Sequence, residues 1–200
     1  IAAMNASSPS LILASTSEYR RQLLLRLQFT FTTESPGVDE TPLKDERPDA
    51  LARRLALAKA WAVAKRHPQA CVIGSDQVCD LNGEPLGKPG TLEKAKAQLQ
   101  RLSAQSVVFR TAVAVVRPST GFEACSLVNI HVRYRVLSDA VIDHYLQREP
   151  ALDCAGSAKS EGLGIALLES VQNDDPTGLI GLPLIETSRL LRAAGLDVLA

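Results

Sequence analysis

Hydrophobic and polar positions change period several times along this chain, and each change predicts a boundary between strand and helix. Leu11-Ile12-Leu13, within residues 10–14, is an apolar run suited to a short buried strand. The hydroxyl-rich Ser15-Thr16-Ser17 separates it from a helix over residues 18–27. Residues 29–34 alternate as a strand, and residues 35–45 form a loop of Pro, Gly and acidic residues. Pro48 suits the first turn of a helix reaching about residue 66, with Leu51, Leu55, Ala58 and Ala62 on one face. Cys71-Val72-Ile73 then opens a strand that runs through Gly74-Ser75-Asp76-Gln77 to Leu81. Asn82-Gly83 is a favoured type I′ hairpin pair, and the chain returns through residues 84–89.

Thr91 caps a helix to about residue 102, and residues 106–116 and 122–136 read as a hairpin turning at residues 118–121. In its second strand Phe122, Ala124, Val128, Ile130, Val132, Tyr134 and Val136 face one way. Glu123, Asn129, His131, Arg133 and Arg135 mostly face the other. Ser138-Asp139 caps a helix to about residue 147, residues 154–164 form a small-residue loop, and residues 165–171 read as a strand. Gly181-Leu182-Pro183 opens a last helix that Gly195 ends. Strands interleaved with helices, plus an antiparallel hairpin, predict an α/β protein with a mixed sheet flanked by helices.

Composition narrows the function classes. The 200 residues are 46% hydrophobic, enough for one substantial core, expected as a single domain over residues 10–200. Residues 1–9 are expected to be disordered or left over from expression, with Met4 the native start. Formal net charge is zero, so no global field draws the chain to nucleic acid or an anionic membrane, and any anion site must be local. No apolar run approaches the ~18 residues of a membrane span. Four cysteines without CxxC spacing predict a reducing, cytoplasmic location. There is no G-x-x-x-x-G-K-[ST] loop, no H-E-x-x-H and no paired histidine spacing, which argues against P-loop and zinc enzymes.

Local chemistry stands out at few places. Asp76 sits in an apolar strand, where an unpaired carboxylate is costly, so it needs a partner, a metal or a cleft, unless it merely caps a turn. The hairpin can bring Lys88 back near it. The 15–17 junction offers backbone N–H groups and hydroxyls at a helix start, a ready anion site. Arg20 and Arg21 in the first turn oppose the helix dipole unless an anion is bound there. Asp39 and Glu40 are either a solvated acidic loop or oxygen ligands for a hard cation. Lys59, beside the apolar stripe of its helix, either snorkels to the surface or reaches into a phosphate-bearing cleft.

Taken in order, Leu13 to Arg21, Val38-Asp39-Glu40, Lys59-Ala60, Gly74 to Val78, Gly87-Lys88-Pro89, Gly156 to Gly162 and Gly181 to Leu184 resemble the motifs of the Maf family of nucleoside triphosphate pyrophosphatases. The resemblance spans about residues 10–195. Each motif is weak, but the ordered set is specific. It implies a Maf/ITPase-like mixed sheet with two lobes around a central cleft, and a divalent metal, Mg²⁺ or Mn²⁺. The implied reaction cleaves between the α and β phosphates of a nucleoside triphosphate. Carried over, it makes Asp76 the proton acceptor or a metal ligand, Glu40 a metal ligand, and Ser15, Arg20, Lys59 and Lys88 substrate contacts. Zero net charge and the lack of a basic, aromatic-studded strand face argue against a nucleic-acid or membrane partner, and the family analogy implies a homodimer.

Tyr19, Gln77 and Glu161 depart from the commonest family pattern of Arg, Thr and Gln. The trio is similar to the branch that acts on 7-methyl-GTP, although that branch often carries Trp where this chain has Tyr19. N7 methylation makes guanine cationic, which an arginine would repel and an aromatic face attracts by about 0.5–2 kcal/mol. The Glu161 carboxylate can accept from the guanine edge, and Gln77 can read base or ribose. The alternatives are a dTTP/UTP pyrophosphatase of the same family and a non-catalytic regulator of cell division or nucleic-acid binder.

Overall fold

The computed structural model describes residues 9–200, so the expectation for residues 1–9 lies, but for Pro9, outside them. Strands β1 (Leu11–Leu13), β2 (Phe31–Thr33), β3 (Cys71–Leu81), β4 (Glu84–Leu86), β5 (Ser106–Arg117), β6 (Phe122–Tyr134) and β7 (Leu168–Gln172) form one sheet. Helices α1 (Glu18–Leu25), α2 (Pro48–Ala64), α3 (Leu92–Leu102), α4 (Asp139–Arg148) and α5 (Leu184–Ala193) flank it. The strand order is β2-β1-β3-β5-β6-β7, with β4 paired to β3. β1 runs parallel to β2 and β3, whereas β3, β5, β6 and β7 are antiparallel to one another in turn. The expected mixed α/β sheet is therefore found. Asn82 and Gly83 take positive φ, as a type I′ turn requires, and Asp80 Oδ1 accepts from the Gly83 N–H at 2.7 Å.

The period of two in β3 decides which side chains can meet. Val72 and Val78 belong to the core under α2, with Ile12 and Ala14 of β1 and Ala112 and Ala114 of β5. Gly74 and Asp76 share that parity. Cys71 and Ile73 belong to the core on the other face with Leu11, Leu13 and α5, and Ser75 and Gln77 share theirs. Gly74 matters because α2 lies directly on it. A Cβ there would stand 2.1 Å from the Ala56 carbonyl and 2.6 Å from the Ala60 nitrogen. Only glycine lets the helix backbone touch the strand, and that approach brings Lys59, on the same turn of α2, to Asp76.

Three expectations need correction. The buried stripe of α2 is Leu51, Ala52, Leu55, Ala56, Lys59, Ala60, Val63 and Ala64, while Ala58 and Ala62 are only half-buried. Two i,i+4 rows face the sheet, and Lys59 sits in the middle of them rather than beside them. Residues 163–167 form a 3₁₀ turn, and the edge strand starts at Leu168. Gly164 is locked against the Lys159 backbone, and its N–H donates to Glu149 Oε2, so this part of the run cannot extend. Val136 lies beyond β6 and is 75% exposed, because the strand ends at Tyr134.

Candidate active site

The β1–α1 junction, the centre of β3, the residue 35–42 loop, the start of the β4–α3 connection and the residue 153–161 loop enclose a cavity of about 1010 Å³. Ser15, Tyr19, Arg20, Glu40, Lys59, Asp76, Gln77, Lys88 and Glu161, all singled out by sequence, line it. They form two groups within it.

In the first group Lys59 is the hub. Its ammonium lies 2.7 Å from Asp76 Oδ1 and 2.7 Å from Glu40 Oε1, with the Lys59 side chain 5% exposed, Asp76 8% and Glu40 50%. Burial raises the proton affinity of Asp76 above the ordinary carboxylate range. Lys59 and Arg20 oppose this, and the charge of Glu40 adds to it. Partial burial also pushes Glu40 upward, but the hydrogen bond and charge of Lys59, with Lys88 and Arg20 behind it, hold it below its usual value. Two carboxylates sharing one ammonium are thus driven in opposite directions.

Arg20 does not point to solvent from the first turn of α1. It is buried, its Nε donates to the Gly181 carbonyl at 2.9 Å, and its charge acts on Asp76 and Glu40. Burial lowers its proton affinity, and those two carboxylates oppose that. Arg21 instead pairs at the surface with Glu18 at 2.9 Å. Ser17 caps α1 by accepting from the Arg20 N–H, and the buried Ser15 hydroxyl accepts from the Ser17 N–H at 3.1 Å. Lys88 is exposed and lines the same cavity, acting on Glu40 through its charge; the direct cation partner of Asp76 is Lys59.

The opposite face of β3 anchors the turn Gly178–Ile180. Gln77 Nε2 donates to the carbonyls of Gly178 and Leu179 at 3.0 and 2.9 Å and to Thr111 Oγ1 at 3.0 Å. Its amide N–H groups are therefore committed within the protein, and only its carbonyl is left for a ligand. Thr111 donates to the Gly178 carbonyl at 2.9 Å, and the Ser75 hydroxyl hydrogen is shared between the carbonyls of Ala112 at 2.8 Å and Gly181 at 3.0 Å. The Gly181 carbonyl so receives both Ser75 and Arg20, with Gly181 at φ +132°. This turn fixes the guanidinium.

The second group surrounds Tyr19. Its hydroxyl donates to Asp153 Oδ1 at 3.2 Å, and the Lys159 ammonium stands 5.2 Å from its ring centroid. Burial raises the Tyr19 phenol well above its ordinary pKa, with Cys154 and Asp153 adding to it. Burial likewise pushes the Cys154 thiol up to about 12, helped by Asp153 and by Glu161. The influence of Glu161 on that thiol places its carboxylate in the same neighbourhood. Of the residues lining the cavity, the cations Arg20, Lys59 and Lys88 act on Glu40 and Asp76, whereas Asp153 and Glu161 lie at the Tyr19 end, where Lys159 stands outside the lining.

A family model described as Maf-like protein matches residues 10–194. The chain belongs to the Maf family. Curated relatives extend the Maf match over almost the whole length. The chain is 60% identical over 198 residues to the 7-methyl-GTP pyrophosphatase of Polaromonas sp. strain JS666, covering 99% of this chain and 90% of that one. It is 60% identical over 186 residues to the protein of the same name from Aromatoleum aromaticum, covering 93% and 96%. It is 54% identical over 196 residues to that from Bordetella pertussis, covering 98% of each. Among solved structures it aligns with the Staphylococcus aureus Ham1 protein at a TM-score of 0.46 and 16% identity, over 62% of this chain and 71% of that one.

Four parts of this Maf site escape the sequence reading. Ser75 and Thr111 are fully buried hydroxyls at strand positions otherwise filled by apolar residues, and that misplaced polarity was the available signal. Gly181 reads as a helix start within a family motif, with no role for its carbonyl. Asp153, ahead of the small-residue loop, carried no signal, because its partner Tyr19 lies far away in the chain.

Proposed function

We propose that this protein is a hydrolase acting on acid anhydrides, a nucleotide pyrophosphatase that converts 7-methyl-GTP to 7-methyl-GMP and pyrophosphate. The observation that carries the reading is the buried contact of Asp76 and Glu40 with one ammonium, Lys59, in a cavity that Arg20 and Lys88 also line. A triphosphate carries about four negative charges, and anion clamps of Lys and Arg offset charge in phosphoryl transfer. Lys59 has three N–H donors, two of them held by the carboxylates, which leaves one for a phosphate oxygen. Asp76, with its raised proton affinity, is suited to take a proton from the attacking water, since a general base works best with a pKa near the operating pH. Arg20, held by Gly181, and Lys88 then neutralise the phosphate chain as charge moves to the departing pyrophosphate.

A divalent cation fits this donor set. Among the described residues no group of three or more His, Cys, Asp or Glu is placed to hold one. Mg²⁺, however, is commonly held by one or two carboxylates together with substrate phosphates and waters, and Glu40 and Asp76 supply such a pair. When bound, Mg²⁺ or Mn²⁺ would polarise phosphoryl oxygens and offset their charge.

The Tyr19 end suits a cationic base. An aromatic face beside two carboxylates attracts 7-methylguanine more than guanine or a pyrimidine. The relatives' shared name agrees with that preference. The four cysteines are free, in keeping with a reducing cytoplasm, and no helix among the described residues is long and apolar enough to cross a membrane. The test is pyrophosphate release from 7-methyl-GTP, GTP, UTP and dTTP with Mg²⁺ or Mn²⁺. Highest kcat/KM on 7-methyl-GTP is expected, and preference for UTP or dTTP would overturn the substrate assignment.

A further inference from the structure

Neither the phosphate chemistry nor the motif pattern accounts for Asp153. It lies between α4 and the turn Ala155–Ser157, and 134 positions of chain separate it from the tyrosine whose hydroxyl it accepts at 3.2 Å. Both residues line the cavity. Tyr19 directly precedes Arg20 on α1, so the first turn of that helix sends one side chain to the phosphates and the next to the opposite end. A tyrosine ring without a tether can swing about its first side-chain torsion, and a bond to its hydroxyl fixes where the ring lies.

The charge pattern carries the argument further. Among the described residues neither Asp153 nor Glu161 belongs to an ion pair, although both line the cavity, and both influence the Cys154 thiol between them. A neutral ligand gains little from two such carboxylates, whereas a flat cation lying on the ring gains from both. The Lys159 ammonium, 5.2 Å from the ring centroid, is not part of the cavity lining, and its single positive charge is outweighed by the two carboxylates.

We propose that Asp153 is a positioning residue of the base subsite, holding the Tyr19 ring by its hydroxyl and adding, beside Glu161, negative charge that favours a cationic purine over a neutral one. This rests on the proposed action on 7-methyl-GTP. The experiment compares the ratio of kcat/KM on 7-methyl-GTP to that on GTP in the wild type, D153N, D153A and Y19F, with thermal melts confirming that each is folded.

D153N keeps an acceptor for the phenol but removes the charge, and should lower the ratio about 2–5-fold. D153A removes both and should lower it about 5–10-fold. Y19F keeps the ring and both carboxylates, and D153A added to Y19F should cost less than D153A alone, because the shared bond is already gone. A ratio unmoved in D153A, equal losses on both nucleotides, or strict additivity with Y19F would each overturn the role of Asp153 alone. A wild type without preference for the methylated nucleotide would overturn the substrate reading and this inference together.

Discussion

At one end of the cavity Asp76 and Lys59 are buried and mounted on a strand and a helix pressed together at Gly74; at the other, Asp153 and Glu161 are exposed and sit on loops. The buried end pays a desolvation penalty that only close pairing offsets, so its geometry is over-determined by packing. The raised Asp76 follows from that confinement, whereas Glu40 is lowered by Lys59 against the upward push of its own partial burial. The exposed end carries its charges in water, at little cost in stability, where substitution is tolerated and attraction is modest. On the proposed function, rigid chemistry and adjustable selectivity are thereby separated in one cavity.

The largest effect that would sharpen this contrast is on Asp76. Asp76→Asn should lower kcat by about 10²–10⁴-fold with substrate binding retained. Steady-state kinetics and isothermal titration check the two parts, and a thermal melt confirms that the variant is folded. Retained turnover would remove Asp76 from the chemistry.

Gly74→Ala comes next, because its Cβ would meet backbone atoms of α2 and not a yielding side chain. Overpacking of this kind costs about 1–3 kcal/mol, readable as a lower urea midpoint. It should also depress kcat in the folded fraction, as α2 carries Lys59 away from Asp76. An unchanged kcat at full folding would uncouple the helix from the site.

The pH dependence follows in size. The folded-state pKa of Asp76 is raised by burial, so the carboxylate reprotonates above the ordinary aspartate value of about 3.9, and turnover should be lost as pH falls through that raised value. The linked stability term has the opposite sense: protonated Asp76 stabilises the fold at low pH, and this contribution is lost as pH rises through the folded-state pKa. A kcat profile whose acid limb lies at or below the ordinary value would contradict the confinement argument.

The smallest effect is expected at the exposed end. Glu161→Gln should lower the preference for 7-methyl-GTP over GTP about 2–5-fold while leaving the affinity for pyrophosphate unchanged. Equal losses on the two nucleotides would place Glu161 outside base selection.

Much of the scaffold was readable from periodicity. β3 and its I′ turn, α3 and the β5–β6 hairpin follow from alternation, Asn-Gly chemistry and a threonine cap, all local signals. The stripe of α2 was misread because a buried lysine breaks the apolar pattern, and only its pairing with Asp76 and Glu40 makes that burial tolerable. Gln77, expected to face a ligand, gives its donors to the Gly178–Ile180 turn because its parity directs it to the face of β3 away from α2.

The sequence by itself determined the strand and helix order, the absence of a global charge field, and the set of residue types from which the site is made, since these depend on neighbours within a few positions. Only the tertiary structure decided that Lys59 spans two carboxylates, that Gly181 fixes Arg20, and that Asp153 holds Tyr19. Each of those contacts joins distant segments whose meeting depends on how the sheet orders its strands and how closely α2 can rest on a glycine.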